Sequence, residues 1–217
     1  MDYTRARLNM VENQLRPHQI DDPRLLAAMR EVPREHFLPK SLRAVAYADE
    51  DLLLPAGGHL IEPLALARMI QAAQIRPHEV LLLLGCTTGY AAAILARVAA
   101  TVILVQPDQA AAQQVETLLE DLGVDNVVVA VSADPVAGQR SQAPFDVILL
   151  AGAVDALPPA LGEQIGEGGR LVAVIDDGRV GKLTVFTRLH RVIGTQVLFD
   201  ARIPRLAGLE RRAEFAF

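Results

Sequence analysis

Three short stretches of this 217-residue chain hold residue types that could do chemistry. The first is Gly85-Cys86-Thr87-Thr88-Gly89, which follows the five apolar residues Val80–Leu84. An apolar run of that length reads as a strand buried on both faces. A strand, a glycine turn and a helix form the first unit of a doubly wound fold. Such folds bind ligands at the carboxyl ends of the strands, where strand order reverses. Gly85 and Gly89 would let backbone approach a ligand, and the helix from Tyr90 would aim amide groups at it. A tight strand–helix turn without a ligand is the competing reading. The second stretch is Gln106-Pro107-Asp108, at the end of the next apolar run. Nucleotide- and nucleoside-binding folds usually carry an acid there, to accept hydrogen bonds from ribose hydroxyls. Gln106 can bond a hydroxyl, but neutrally, and charge-assisted bonds are about twice as strong. Asp108 suits the cap of the following helix. The third stretch is the loop His59-Leu60-Ile61-Glu62 before Pro63. His59 could position an acceptor or simply bond backbone. Glu62 could do the same, or serve as a helix N-terminal charge favoured by the dipole. Cys86 reads as a small filler in its turn.

Composition narrows the possibilities. Lys and Arg number 21 and Asp and Glu 26, a net charge of −5. Nucleic-acid binding asks for clustered basic charge, and the only candidates here are Arg202, Arg205, Arg211 and Arg212. Among acids they read as a solvated face. No nucleic-acid partner is expected. One cysteine excludes an internal disulfide and a multi-cysteine metal site, and it suits a reducing compartment. The five histidines lack the spacing of a helical metal site, so no metal is expected. No apolar run approaches the roughly 18 residues needed to span a bilayer, and the polar N-terminus does not resemble a signal peptide. The expectation is a cytoplasmic protein without a membrane partner. Aromatic residues are 4% of the chain and Trp is absent, which leaves no stacking surface for bases.

The surrounding pattern supplies the elements. Helical spacing runs from Thr4 to Met29 with a break at Pro17, and Leu8, Val11 and Leu15 share one expected face. Asp21-Asp22-Pro23 starts a second helix, which Val32-Pro33 ends. Residues 38–62 are irregular, and long loops in compact domains are often functional. Pro63–Gln74 reads as a helix. Alternation then begins. Strands are expected at Val80–Leu84, Thr101–Val105, Asn126–Val131, Phe145–Leu150 and Arg170–Ile175, the last after a Gly168-Gly169 turn. Helices are expected at Tyr90–Ala99, Asp108–Leu122 and Pro158–Ile165. Two more strands fall near Leu183–Leu189 and Gln196–Phe199, linked through Gly194. This alternation implies an α/β, doubly wound, mostly parallel sheet.

The order of several segments resembles the protein-L-isoaspartate O-methyltransferase family. The resemblance begins with Met10-Val11-Glu12-Asn13-Gln14-Leu15-Arg16. It continues through Ala28-Met29-Arg30-Glu31-Val32-Pro33-Arg34-Glu35-His36-Phe37-Leu38-Pro39 and Ala46-Tyr47-Ala48-Asp49. It then takes in the Gly57–Pro63 loop, the Gly85–Tyr90 turn, Leu122–Val127 and Ala143-Pro144-Phe145-Asp146. Pro158-Pro159-Ala160-Leu161 and Gly168–Val172 complete it. The resemblance implies a seven-stranded Rossmann-like methyltransferase sheet with an N-terminal helical extension. It implies one domain over residues 1–217, with N-terminal helices and a substrate-side loop in 1–75 and the cofactor-binding core in 76–217.

It also implies S-adenosyl-L-methionine (AdoMet) as cofactor and a protein or peptide carboxylate as acceptor. A carboxylate attacking a methyl group needs no general base, so the protein mainly aligns two reactants. The implied cofactor-binding positions are Gly85, Cys86, Thr87, Gly89, Gln106, Ala133 and Asp134. The implied catalytic loop positions are His59, Ile61 and Glu62. The departures from the family pattern cluster in this set. Leu83 stands where the family has an acid, Thr87 where it has a middle glycine, and Gln106 where it has the ribose-binding acid. The family's Gly-Asp-Gly reads Ser132-Ala133-Asp134, and its Thr-Ile-Ser reads His59-Leu60-Ile61. A hydrogen bond to a charged group is worth roughly 1.5–3 kcal/mol. Two such losses weaken binding about a hundredfold where they add. Ile61 in place of the serine points away from isoaspartyl repair. A catalytically inactive binding module and a methyltransferase with a different acceptor are the alternatives.

Overall fold

The structure is a computed structural model, and it describes residues 2–55, 57–134 and 136–206. Arg211 and Arg212 of the basic group lie outside them. The chain opens with helix α1, Tyr3–Asn9, capped by Asp2, which runs on as a π-helical stretch over Met10–Leu15. Met10, Val11 and Leu15 are buried, while Leu8 is 44% exposed. That corrects the expected face. A π turn advances the register by one residue, and Met10 takes the inward position instead. A short 3-10 turn at Arg16–His18 follows. Helix α2, Pro23–Glu31, starts as expected: Asp22 accepts from the Arg24 and Leu25 N–H groups, and Pro23 sits in the first turn.

Residues 38–62 contain short turns and a two-stranded hairpin, β1 (Leu52–Leu53) with β2 (His59–Leu60). Helix α3, Pro63–Ala73, leads into the sheet. The first alternating units are β3 (Val80–Leu84), α4 (Tyr90–Leu95), β4 (Thr101–Gln106), α5 (Gln109–Asp121) and β5 (Val127–Val131). Then come β6 (Phe145–Leu150), the single turn α6 (Pro159–Gly162), β7 (Ile165–Ile175), β8 (Lys182–Leu189) and β9 (Val192–Asp200). Their order across the sheet is β5-β4-β3-β6-β7-β8-β9. The first five run parallel, and β8 and β9 add antiparallel. Strand order reverses between β3 and β6, so the ligand crevice of this topology lies at their carboxyl ends.

Several boundaries differ from expectation: α4, expected to reach Ala99, ends at Leu95, and β9 begins at Val192 rather than near Gln196. The helix expected to reach Ile165 stops at Gly162, because Ile165 pairs with Phe145. Strand β7 therefore begins before the glycines, and two steps along β6 match five along β7, so residues 166–169 bulge. Gly194 is not the hairpin link. It pairs with Thr187 inside β9, and the turn falls at His190, whose φ is +56°.

Two apolar layers flank the sheet. Leu81 and Leu83 face a cluster built with α2, α3 and α4, and Leu82 and Leu84 face the other side with Ile103, Phe145 and Leu161. The N-terminal helices thus share one core with the sheet. At the amino ends of the strands, Arg170 clamps this arrangement. Its guanidinium donates to Glu79 Oε1 at 2.6 Å and Oε2 at 2.8 Å, and to the carbonyls of Ala73 and Gln74. Burial works to raise the Glu79 carboxyl, but the bonds from Arg170 and the Arg76 N–H bring it below its ordinary value.

Candidate functional site

The crevice is built around the turn after β3. Gly85 and Gly89 have φ of +81° and +85°, which L side chains rarely adopt. A Cβ on Gly85 would lie 2.3 Å from Leu206 Cδ1, and one on Gly89 2.7 Å from Val115 Cγ1. Both positions need glycine for conformation, and a side chain at either would also have to displace Leu206 or Val115. Cys86 is buried, and burial pushes its thiol up. The backbone N–H groups of Ala92, Ala91, Gly89 and Thr88 reach its sulfur and work against that rise. Cys86 is thus a small buried filler of the turn. Among the described non-glycine residues only Gln19, Gln74 and His190 have positive φ. Thr87 therefore carries no such strain. Its side chain narrows the site instead: Oγ1 donates to His59 O at 3.2 Å.

Gln106 ends β4 and is 1% exposed. Its Nε2 donates to Cys86 O at 2.8 Å, which ties the end of β4 to the glycine turn. Asp108 caps α5 through the Ala111 N–H. Beyond β5, Ala133 and Asp134 are exposed. Asp134 Oδ1 accepts from the Val136 N–H at 2.9 Å, and Ser132 Oγ donates to Asp134 O. That carboxylate closes its own turn.

The substrate-side loop lies against the glycine turn. Ile61 is buried, and its carbonyl accepts from Arg34 Nη2 at 2.7 Å. Glu62 is partly buried, and Asp51 Oδ1 accepts from its N–H at 2.9 Å. Burial raises the carboxyls of both Asp51 and Glu62, and Asp49 and Asp51 raise Glu62 further. His59 and Glu62 line an open cavity of about 770 Å³ together with Asp51, Arg68, Arg202 and Arg205. Arg68 stacks over the Phe199 ring at 5.2 Å. Two small voids of about 10 and 40 Å³ lie against Gly85, and His59 lines these as well.

Sequence reasoning missed two residues of this site. Arg34 is fully buried, donates to Ala46 O and Ile61 O, and stands 4.9 Å from the centre of the Tyr90 ring. Its signal was its place between Val32-Pro33 and Phe37-Leu38, where a charge has no obvious outlet. Leu206 left no local signal. Backbone bonds between Ala153 and the Pro204–Leu206 segment bring it across the ends of β3 and β6.

The sheet order, the glycine turn and the crevice at the strand reversal define a class I methyltransferase fold. The family model described as protein-L-isoaspartate(D-aspartate) O-methyltransferase matches residues 6–200. The chain belongs to that family. It is 39% identical over 202 residues to the protein-L-isoaspartate O-methyltransferase of Koribacter versatilis, covering 93% of this chain and 90% of that one. It is 41% identical over 177 residues to that of Herpetosiphon aurantiacus, covering 82% and 79%. A solved protein-L-isoaspartate O-methyltransferase superposes with a TM-score of 0.82 at 24% identity, over 93% of this chain and 66% of the other. A Plasmodium falciparum structure titled for the same activity, in complex with S-adenosyl-L-homocysteine, superposes at 0.77 with 19% identity, over 92% and 97%. The family's methyl donor is AdoMet.

The residues at the turn do not fit that group as they stand. A ligand of this class needs a pocket of about 300–1,000 Å³. The voids against Gly85 are far smaller. The acid expected two residues before Gly85 is Leu83, which is fully buried in the apolar cluster that also holds Ile61, Cys86 and Tyr90. The Gln106 amide donates to Cys86 O within the turn.

Proposed function

We propose that this protein is a carboxyl methyltransferase whose acceptor is a peptide or protein carboxylate other than an isoaspartyl residue. One observation carries this reading. The 770 Å³ cavity and the glycine turn share a wall, the His59–Glu62 loop, so an acceptor held in the cavity would abut the cofactor side. Arg68 and Arg202 are cationic groups in a lining rich in acids, with Asp49, Glu50, Asp51, Glu62, Asp176 and Asp200, so an acceptor carboxylate would have to sit against these arginines. Ile61 argues against isoaspartyl repair: it is apolar and buried, and its backbone carbonyl is held by Arg34. His59 and Glu62 are the positioning residues of this reading. Gly85, Cys86, Thr87, Gly89, Gln106, Ala133 and Asp134 form its cofactor side.

The alternative is a binding module without methyl transfer. We also place the chain as one methyltransferase-like domain in the cytoplasm. The core shared by the N-terminal helices and the sheet supports the first point, and a single buried cysteine supports the second. No helix among the described residues is long and apolar enough to cross a membrane.

The test is a methyl-transfer assay with radiolabelled AdoMet at high concentration. Acceptors are an isoaspartyl peptide, its ordinary aspartyl counterpart and a mixed protein lysate. The expected result is base-labile label in the ordinary peptide or the lysate and none in the isoaspartyl peptide. Preferential labelling of the isoaspartyl peptide would overturn the assignment of acceptor. No label in any acceptor would favour the module.

A further inference from the structure

Four chain segments converge on the glycine turn and fill it. From β4, Gln106 donates to Cys86 O at 2.8 Å. Within the turn, Thr87 donates to His59 O, and its methyl carbon would stand 2.6 Å from a Cβ on Gly58. From the C-terminal segment, Leu206 is 1% exposed and packs on Gly85. From β3, Leu83 fills the place of an acid. The Gln106 and Thr87 bonds tie the end of β4 and the substrate-side loop to the turn, so a ligand entering between them has to displace these contacts.

We propose that the cofactor cradle of this protein is held shut by its own side chains. Gln106 and Thr87 are the two fastenings, and AdoMet binds only in the fraction of molecules where both are released. This rests on reading the turn after β3 as the family's cofactor site. The affinity of a ligand that needs a minor state falls in proportion to the population of that state. Gln106 is the stronger fastening, because its amide can donate to a carbonyl. A glutamate cannot donate there. Its charge would be repelled by Cys86 O and left free to accept from ribose hydroxyls. Thr87 holds the loop side. Its backbone is not in the left-handed region, so Thr87→Gly leaves the path of the turn allowed and removes only the obstruction.

The experiment is calorimetric titration of S-adenosyl-L-homocysteine into the wild type, Thr87→Gly, Gln106→Glu and the double variant. Thermal melts of all four establish that they fold. The double variant is expected to bind about a hundredfold tighter than the wild type, which corresponds to about 2.7 kcal/mol. Each single variant is expected to gain about fivefold or more. Low-micromolar binding by the wild type would overturn the proposal. So would a folded double variant that binds no tighter. Should the double variant lose its cooperative melt, the singles decide, and no gain in either overturns the proposal. A double variant that binds tightly yet methylates no carboxylate leaves the closed cradle standing and removes the proposed function.

Discussion

The two ends of the sheet treat carboxylates in opposite ways. At the amino ends, Glu79 meets Arg170 in a buried, two-pronged pair and is held below its ordinary value. At the carboxyl ends, Asp51 and Glu62 are raised by burial, and Glu62 also by its acidic neighbours. The first arrangement joins α3 to β3 and β7 and serves the fold. The second keeps charge crowded at the mouth of a cavity, where strained ionisation is a mark of functional sites rather than of stability.

The sharpest way to break this contrast is Arg170→Ala. It strands Glu79, which is nearly buried, and frees the carbonyls of Ala73 and Gln74. Urea unfolding should show a loss of about 3 kcal/mol. A loss under about 1 kcal/mol would mean that the clamp is an ordinary surface pair.

A smaller effect appears on acidification. A carboxyl depressed in the folded state contributes stability that is complete above its unfolded value and is lost as pH falls through the folded one. Glu79 should therefore make the wild type lose stability below about pH 4.5, by up to about 1.4 kcal/mol per pH unit for one proton. Glu79→Gln should flatten that limb. Asp51 and Glu62 act with the other sign: their contribution is present at low pH and is lost as pH rises through their raised values. Equal acid limbs in wild type and Glu79→Gln would show that Glu79 is not the group responsible.

The smallest effect is expected at the mouth. Glu62→Gln removes one of the crowded charges and should stabilise by about 0.5 kcal/mol at neutral pH after screening by solvent. A destabilisation of more than about 1 kcal/mol would assign Glu62 to the scaffold, and the contrast between the two ends would fail.

The strands were legible because buried parallel strands read as continuous apolar runs, and Val80–Leu84 and Phe145–Leu150 fell at their expected ends. The caps at Asp22 and Asp108 were legible because their chemistry is local. Leu8 was misread because a π turn shifts register without a residue type that announces it. Gly194 was misread because a glycine can pair within a strand as well as turn one. At the site, positions were legible and contacts were not. The sequence placed Thr87 and Gln106 in the crevice. Whether each faces a ligand or the protein depends on His59 and Cys86, which are 28 and 20 residues away. Leu206 reaches Gly85 from the far end of the chain, and nothing near either residue signals it.

The buried guanidinium of Arg34 also bears on time. It grips the carbonyls of Ala46 and Ile61 at once and lies against the Tyr90 ring, so both sides of the substrate loop are moored to one side chain. A loop moored in this way does not swing aside to admit a ligand. Admission depends on rotamer changes at Thr87 and Gln106, which are brief compared with backbone rearrangement. A variant that releases those side chains should therefore gain its affinity through a faster apparent rate of entry, because more molecules are open at any moment, while the rate of release stays nearly the same.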